Sequence, residues 1–248
     1  LGHEYNSVQK DWAADLVRFV LVFPDLYEIG MSHHGLQILY HILNGQKHFL
    51  AERCYCPDID IEQLLRRERK VLTSLESSNP LRMFDCIGIT LPYELCYSNI
   101  LTILSLSDIP LYSRDRDASY PLLLGGGAGA FNPEPVADFF DAILLGDGEE
   151  AIVEIGNTLA HSKAAQWSKS ELLEQLAKIE GVYIPAHFHR EQGDLGSNLT
   201  ITQKAGPKEI VRRRVLQDLN EIAHLKHPIV PNAKIVHDRL GIEIARGC

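Results

Sequence analysis

The sequence predicts an α/β fold with a doubly wound, mainly parallel sheet over residues 16–160, and three observations carry that prediction. Short apolar, β-branched runs recur without alternation, as strands buried on both faces require. Segments with helical spacing separate them, and strand–helix alternation implies parallel pairing with right-handed crossovers. The loops leaving several strands carry glycines or small polar residues, at the end of an open α/β sheet where ligands bind.

The elements follow in order. Val17–Phe23 (VRFVLVF) is a central strand running into Pro24 and Asp25. His34–Asn44 places Leu36, Leu39, Tyr40 and Leu43 at helical spacing. Leu50–Tyr55 is a strand, Ile59–Lys70 a charged amphipathic helix and Cys86–Leu91 (CIGITL) a second buried strand. A helix is expected over Ser98–Leu106, strands over Leu122–Leu124 and Ala142–Leu145, and a helix over Glu149–Leu159.

Past residue 160 the texture turns polar. A helix at Glu171–Ile179 and hairpin strands at Val182–His189 and Leu199–Gln203 suggest a small α+β annex or linker over 161–232. Its tail, KHPIVPN, has two prolines and should be extended. Leu240–Ala245 is expected to form one last strand, within a separate segment 233–248.

Composition sets bounds on function. The chain has 248 residues, 45% hydrophobic and 23% charged, with net charge −9, an ordinary globular balance that speaks against binding nucleic acid over the whole surface. The one basic run, Arg212–Arg214, is read as solvated, with contact to RNA or to acidic groups of a following domain left open. No apolar stretch approaches the ~20 residues that cross a bilayer, and the start lacks a signal-peptide shape, so a cytoplasmic protein without membrane partner is expected. Five cysteines without a small-scaffold pattern point to reduced thiols. Cys54 and Cys56 are read as buried, His187 and His189 as one face of a strand, and Glu149 and Glu150 as favourable first-turn dipole placement.

Three loops draw the chemistry together. The first, FPDLYEIGMSHHGL, offers Asp25 as an acceptor, Gly30 for close backbone approach, and Ser32 and His33 before a helix start suited to anions. The second places Thr90 and Leu91 at a strand tip. The third has four glycines in five residues, Gly125, Gly126 and Gly127 among them, and GDGEE from Gly146 opens the last helix. Each has a plainer reading beside it: Asp25 capping a turn, Thr90 a satisfied cap, the glycines a tight turn with close helix packing.

Taken together, Asp25-x-Tyr27-x-x-Gly30, Thr90-Leu91 and Gly125-Gly126 resemble the cobalamin-binding-domain signature DxHxxG, SxL and GG, with Tyr27 in the histidine position. The resemblance implies a flavodoxin-like, cobalamin-binding type of domain over 1–160, with these residues around corrin ring and nucleotide tail. Phenol is a poor cobalt ligand beside neutral imidazole, so the cobalamin implied has no protein histidine on cobalt. His33 or His34 turning inward is the alternative, weighed against a helix N-terminal or solvent-facing role. The missing histidine, GDGEE and the terminal EIARGC resemble cobalamin-domain radical S-adenosylmethionine (SAM) proteins.

That resemblance implies that Cys248 opens a CxxxCxxC motif for a four-iron four-sulfur cluster. Cluster and SAM would then belong to the full-length protein only, and the present chain, an N-terminal fragment without catalytic residues, would partner a C-terminal radical SAM barrel. Methyl transfer is the reaction the resemblance suggests; an RNA-related substrate has no support in the sequence. Two other readings stand beside it. One is a degenerate scaffold that positions the barrel or a macromolecular substrate; the other, a flavin or nucleotide binder, lacks the hydroxyl-rich phosphate loop expected after the first strand.

Overall fold

Seven residues in a row from Val17 are buried or nearly so, and they form the strand around which the sheet is built. The computed structural model describes residues 4–192, 199–221, 225–233, 235–237 and 241–246. In chain order these give β1 (Glu4–Tyr5), β2 (Val17–Phe23), α1 (Tyr27–Gly30), α2 (His34–Gly45), β3 (Phe49–Tyr55), α3 (Ile59–Glu68) and β4 (Cys86–Thr90). There follow α4 (Tyr97–Leu106), β5 (Leu122–Gly126), β6 (Ala142–Leu144), α5 (Glu149–Ala165), α6 (Lys169–Leu176), β7 (Val182–Tyr183), β8 (Phe188–Gln192), β9 (Leu199–Gln203) and β10 (Val230–Pro231).

Six strands make the main sheet in the order β3-β2-β4-β5-β6-β7, parallel except for β7. Counting from β2, the parallel strands run 2-1-3-4-5, a doubly wound order whose direction of winding reverses between β2 and β4. Phe19, Leu21 and Phe23 face a core completed by α2, α5 and α6, while Val20 and Val22 face a second core with α4 and, through Leu65, α3. Strands buried on both faces explain the continuous apolar runs.

Local chemistry sets the helix ends. The Asp58 side chain accepts from the Ile59 N–H at the start of α3, and Arg69 stops it in a left-handed conformation at φ 54°. Ser168 and Glu171 close a reciprocal capping box on α6.

Several elements depart from expectation. β5 continues through Gly125 and Gly126, because Thr90 and Leu144 pair with Gly126 in register. α5 carries the chain past residue 160 to Ala165, and β7 joins the main sheet antiparallel to β6. The expected strand Val182–His189 therefore splits: a 3-10 turn at Pro185–His187 separates β7 from β8, which pairs with β9 as a hairpin. His187 thus sits outside the strand that holds His189.

The extended tail is present: β10 pairs with β1, the Ile229 N–H donates to Gln37 Oε1 at 3.0 Å, and Ile229 is buried. The expected strand Leu240–Ala245 is not seen among the described residues, since 241–246 have no regular structure and no ladder partner there; Leu240 lies outside them. Among the described residues no helix is long and apolar enough to cross a membrane.

Candidate functional site: a cavity at the carboxyl ends of the strands

At the point where the sheet reverses its winding, β2, β4, β5 and β6 end beneath a cavity of about 1030 Å³. Small-molecule and cofactor pockets span roughly 300–1,000 Å³, so this one suits a large ligand. Leu21, Gly88, Thr90 and the Gly125–Gly127 run form its floor. The first turns of α2 and α5 make its walls, and residues 213–220 and 243–246 lie across it.

At Gly88 and Gly126 the floor is low because no side chain rises from it, while Gly127 lets the backbone turn close to Leu91. Gly127 has φ +112°, a conformation that favours glycine, and a Cβ at that position would stand 3.1 Å from the Leu91 carbonyl oxygen. Gly126 is less crowded, since a Cβ there would make only ordinary contact with Leu144, at 3.8 Å. Thr90 lies opposite Gly126 in register, so its side chain borders the same glycine floor.

Of the residues singled out from sequence, His33, Thr90, Gly125, Gly126, Gly127 and Gly146 line the cavity. His33 does so as the N-cap of α2: its Nδ1 accepts the Leu36 N–H at 3.1 Å, and burial, with His34 beside it, lowers its pKa. His34 also lines the cavity.

The other five point elsewhere. The Asp25 carboxylate accepts from the Leu26 N–H and the Tyr93 hydroxyl. That hydrogen bond, with burial, pushes the Tyr93 phenol up to about 12. Tyr27 is buried against Tyr55 and donates to Glu4 Oε1 at 2.6 Å; burial and then Glu4 raise its pKa. Gly30 leaves room for the Phe23 ring, which a Cβ would meet at 2.5 Å. Ser32 Oγ donates to the Ile29 carbonyl. Leu91 is fully buried, its N–H donating to Gly126 O and its carbonyl accepting the Gly129 N–H. Cys248 lies outside the described residues.

The turn at 146–150 brings together residues that sequence reasoning had set aside. Gly146 adopts φ +101° and bridges in parallel to Arg214; a Cβ there would sit 2.0 Å from the Arg214 carbonyl oxygen. Arg214 N donates to Leu145 O, Arg214 O accepts from Asp147 N, and Leu216 N donates to Asp147 Oδ2 at 2.8 Å. With its backbone so fixed, Arg214 reaches α5 and pairs with Glu150 and Glu154 at 2.6 and 2.8 Å. It is therefore not the solvated residue expected of the Arg212–Arg214 run, although Arg212 is exposed.

Arg246 closes the other side. Its guanidinium pairs with Glu243, with Asp147 Oδ1 at 3.2 Å and with Glu149 Oε1. Glu149 is only 5% exposed, and its Oε2 is buried without a hydrogen-bond partner. The sequence separations, 64 residues for Arg214–Glu150 and 97 for Arg246–Glu149, explain why no local pattern showed these pairs. The only available signal was an acidic turn lacking neighbouring cations.

Elsewhere the described residues contain no group of His, Cys, Asp and Glu arranged to hold a metal ion. Cys54 and Cys56 are both buried, and burial followed by nearby carboxylates pushes the Cys56 thiol up to about 11, away from reactivity.

Residues 35–185 match the family described as radical SAM proteins, N-terminal. No curated protein matches the chain. Among solved structures it resembles TsrM from Kitasatospora setae, a radical SAM methyltransferase with tryptophan and a SAM analogue bound. Identity there is 18% and the TM-score 0.42, over 68% of this chain and 28% of that one. It also resembles OxsB, a cobalamin-dependent SAM radical enzyme with aqua-cobalamin and SAM bound, at 13% identity and TM-score 0.42, over 78% of this chain and 23% of that one. The chain thus spans under a third of the length of either structure.

Proposed function

Because the chain belongs to the family of radical SAM protein N-terminal regions, we propose that its cavity binds a cobalamin-type corrinoid for a radical SAM enzyme. The observation that carries the reading is the glycine-floored cavity of about 1030 Å³ at the winding reversal. A broad, flat ligand needs bare backbone along one wall, which Gly88 and Gly126 provide. The orphaned Glu149 Oε2 is a second sign that the cavity is shaped for a partner with donor groups.

The residues fit the group in a particular way. Thr90 and Gly125–Gly127 would lie along the corrinoid, and the α2 and α5 termini would flank it. When bound, cobalamin supplies a cobalt centre that can carry a methyl group. Tyr27 is held in the core by Glu4 and Tyr55, so the chain offers cobalt no ligand from that position. His33 already uses Nδ1 to cap α2. The four-iron four-sulfur cluster, with Cys248 as its first ligand, SAM, the barrel and methyl transfer complete the reading for the longer protein.

The test is direct. Purified protein mixed with hydroxocobalamin and desalted should retain corrinoid absorbance near one equivalent, and Gly126→Trp, which fills the open floor, should abolish retention while the protein stays folded. If the unaltered protein keeps no corrinoid, the reading fails and the domain is a scaffold. If Gly126→Trp still retains it, the ligand lies elsewhere.

A further inference from the structure

Within the 146–150 turn the carboxylate oxygens that matter are taken, with one exception. Asp147 uses Oδ1 for Arg246 and Oδ2 for the Leu216 N–H, and Glu150 Oε2 serves Arg214. Glu149 gives Oε1 to Arg246 and leaves Oε2 buried with no donor. Of the described residues that carry a buried polar side-chain atom without a partner, Glu149 is the one that lines the cavity. A carboxylate oxygen in that condition has lost its water and gained nothing in return, unless an occupant of the cavity supplies an N–H or O–H.

We propose that Glu149 is a recognition residue that accepts a hydrogen bond from a neutral carboxamide N–H of the bound ligand. Resting on the corrinoid reading above, the donor is one of the primary amides at the edge of the corrin ring. The charge around it selects for neutrality. Asp147 and Glu149 share the one guanidinium of Arg246, so the turn beside Glu149 Oε2 carries more negative than positive charge. An amide brings a donor at no electrostatic cost, whereas a carboxylate of the same shape brings repulsion and no donor. Glu149 therefore makes the cavity discriminate an intact amide from its hydrolysed acid.

Binding titrations followed by visible absorbance test this, using hydroxocobalamin and its separated monocarboxylic acid isomers, in each of which one peripheral amide has become an acid. The isomer altered at the amide facing Glu149 should bind about tenfold or more weakly than the parent, the scale of a hydrogen bond to a charged group. Glu149→Gln, whose side chain can donate as well as accept, should close most of that gap. Arg246→Gln keeps the Glu149 carboxylate but removes its cation, and should widen the gap. Circular dichroism confirms that each variant folds, and the ratio between ligands is insensitive to a general weakening of binding. Equal binding of every isomer, or a gap that neither variant moves, overturns the assignment to Glu149 while leaving the corrinoid reading intact. Failure of the unaltered protein to bind any corrinoid overturns that reading and this inference together.

Discussion

Two arginines, Arg53 and Arg246, each gather carboxylates from distant parts of the chain, and they differ in whether every carboxylate oxygen is hydrogen-bonded. Arg53 on β3 is completely buried. Its guanidinium meets Glu4 and Glu76, its own N–H donates to Glu76 Oε2 at 2.7 Å, and the Tyr40 ring lies 5.0 Å away. Glu4 also receives the Tyr27 hydroxyl, so all four carboxylate oxygens are used. Burial opposes the Arg53 charge, but Glu76 and Glu4 outweigh it and raise its pKa. Arg246 is a quarter exposed, borders the cavity and leaves Glu149 Oε2 unfilled. A complete cluster is a fastening: it holds β1, and through it β10, against the sheet. The incomplete cluster borders the cavity, where the proposed ligand donor would complete it.

The comparison is broken most severely by removing the cation from the complete cluster. Arg53→Met leaves two carboxylates buried without a counterion, and loss of one partner from a buried pair costs about 3–5 kcal/mol. Urea unfolding at neutral pH should show that loss. A change under about 1 kcal/mol would mean that Glu4 escapes to solvent when Arg53 is gone, and that the cluster is no fastening.

Next comes the backbone that builds the incomplete cluster. Gly146→Ala puts a methyl against the Arg214 carbonyl at a positive φ, a strain of about 1–3 kcal/mol. The chain relieves it by releasing residues 213–217 from the turn. Trypsin should then cut the Arg212–Arg214 run faster in the variant than in the parent; an unchanged cleavage rate would show that the segment is held by other contacts.

The same contrast explains what could be read from the sequence. The strands and helices around both cores were legible, because apolar runs of strand length and helically spaced apolar residues are local patterns: β2, α2 and β4 fall within a residue or two of expectation. Gly126 was not legible as a strand residue, since glycine has little preference for strands and its place comes from partners on β4 and β6. The cavity floor was legible through its glycines and Thr90. The cluster at Asp147, Glu149, Arg214 and Arg246 was not, because its pairs form only once the fold has closed. In the first loop, DxYxxG drew attention to Asp25 and Tyr27, but the residues that reach the cavity wall are His33, through its role in capping α2, and the adjoining His34 and Gly35.

Tyr27 offers a smaller and sharper test. Tyr27→Phe removes one donor from Glu4 while Arg53 still pairs with it, so the loss should be about 1–2 kcal/mol in urea unfolding. Corrinoid retention should not change, because Tyr27 faces the core and not the cavity. If retention falls along with stability, the complete cluster is also coupled to ligand binding and the two clusters are less distinct than their geometry implies.

The smallest effect concerns His33, which belongs to the cavity wall but behaves as part of the fold. Burial lowers its pKa from the ordinary 6.5, so the folded protein keeps the imidazole neutral, with Nδ1 free to accept the Leu36 N–H. The unfolded chain takes up the proton near pH 6.5. Below that value the unfolded state binds more protons than the folded one, and stability falls with pH until the lowered folded pKa is reached. Replacing His33 with Asn keeps a good N-cap and removes the titration. Urea midpoints measured as the pH falls below 6.5 should decline less steeply in His33→Asn than in the parent. Some slope should remain from His41 and His187, whose pKa values burial also lowers. Identical slopes would show that His33 is protonated in the folded protein, and the cap would then have to come from another acceptor.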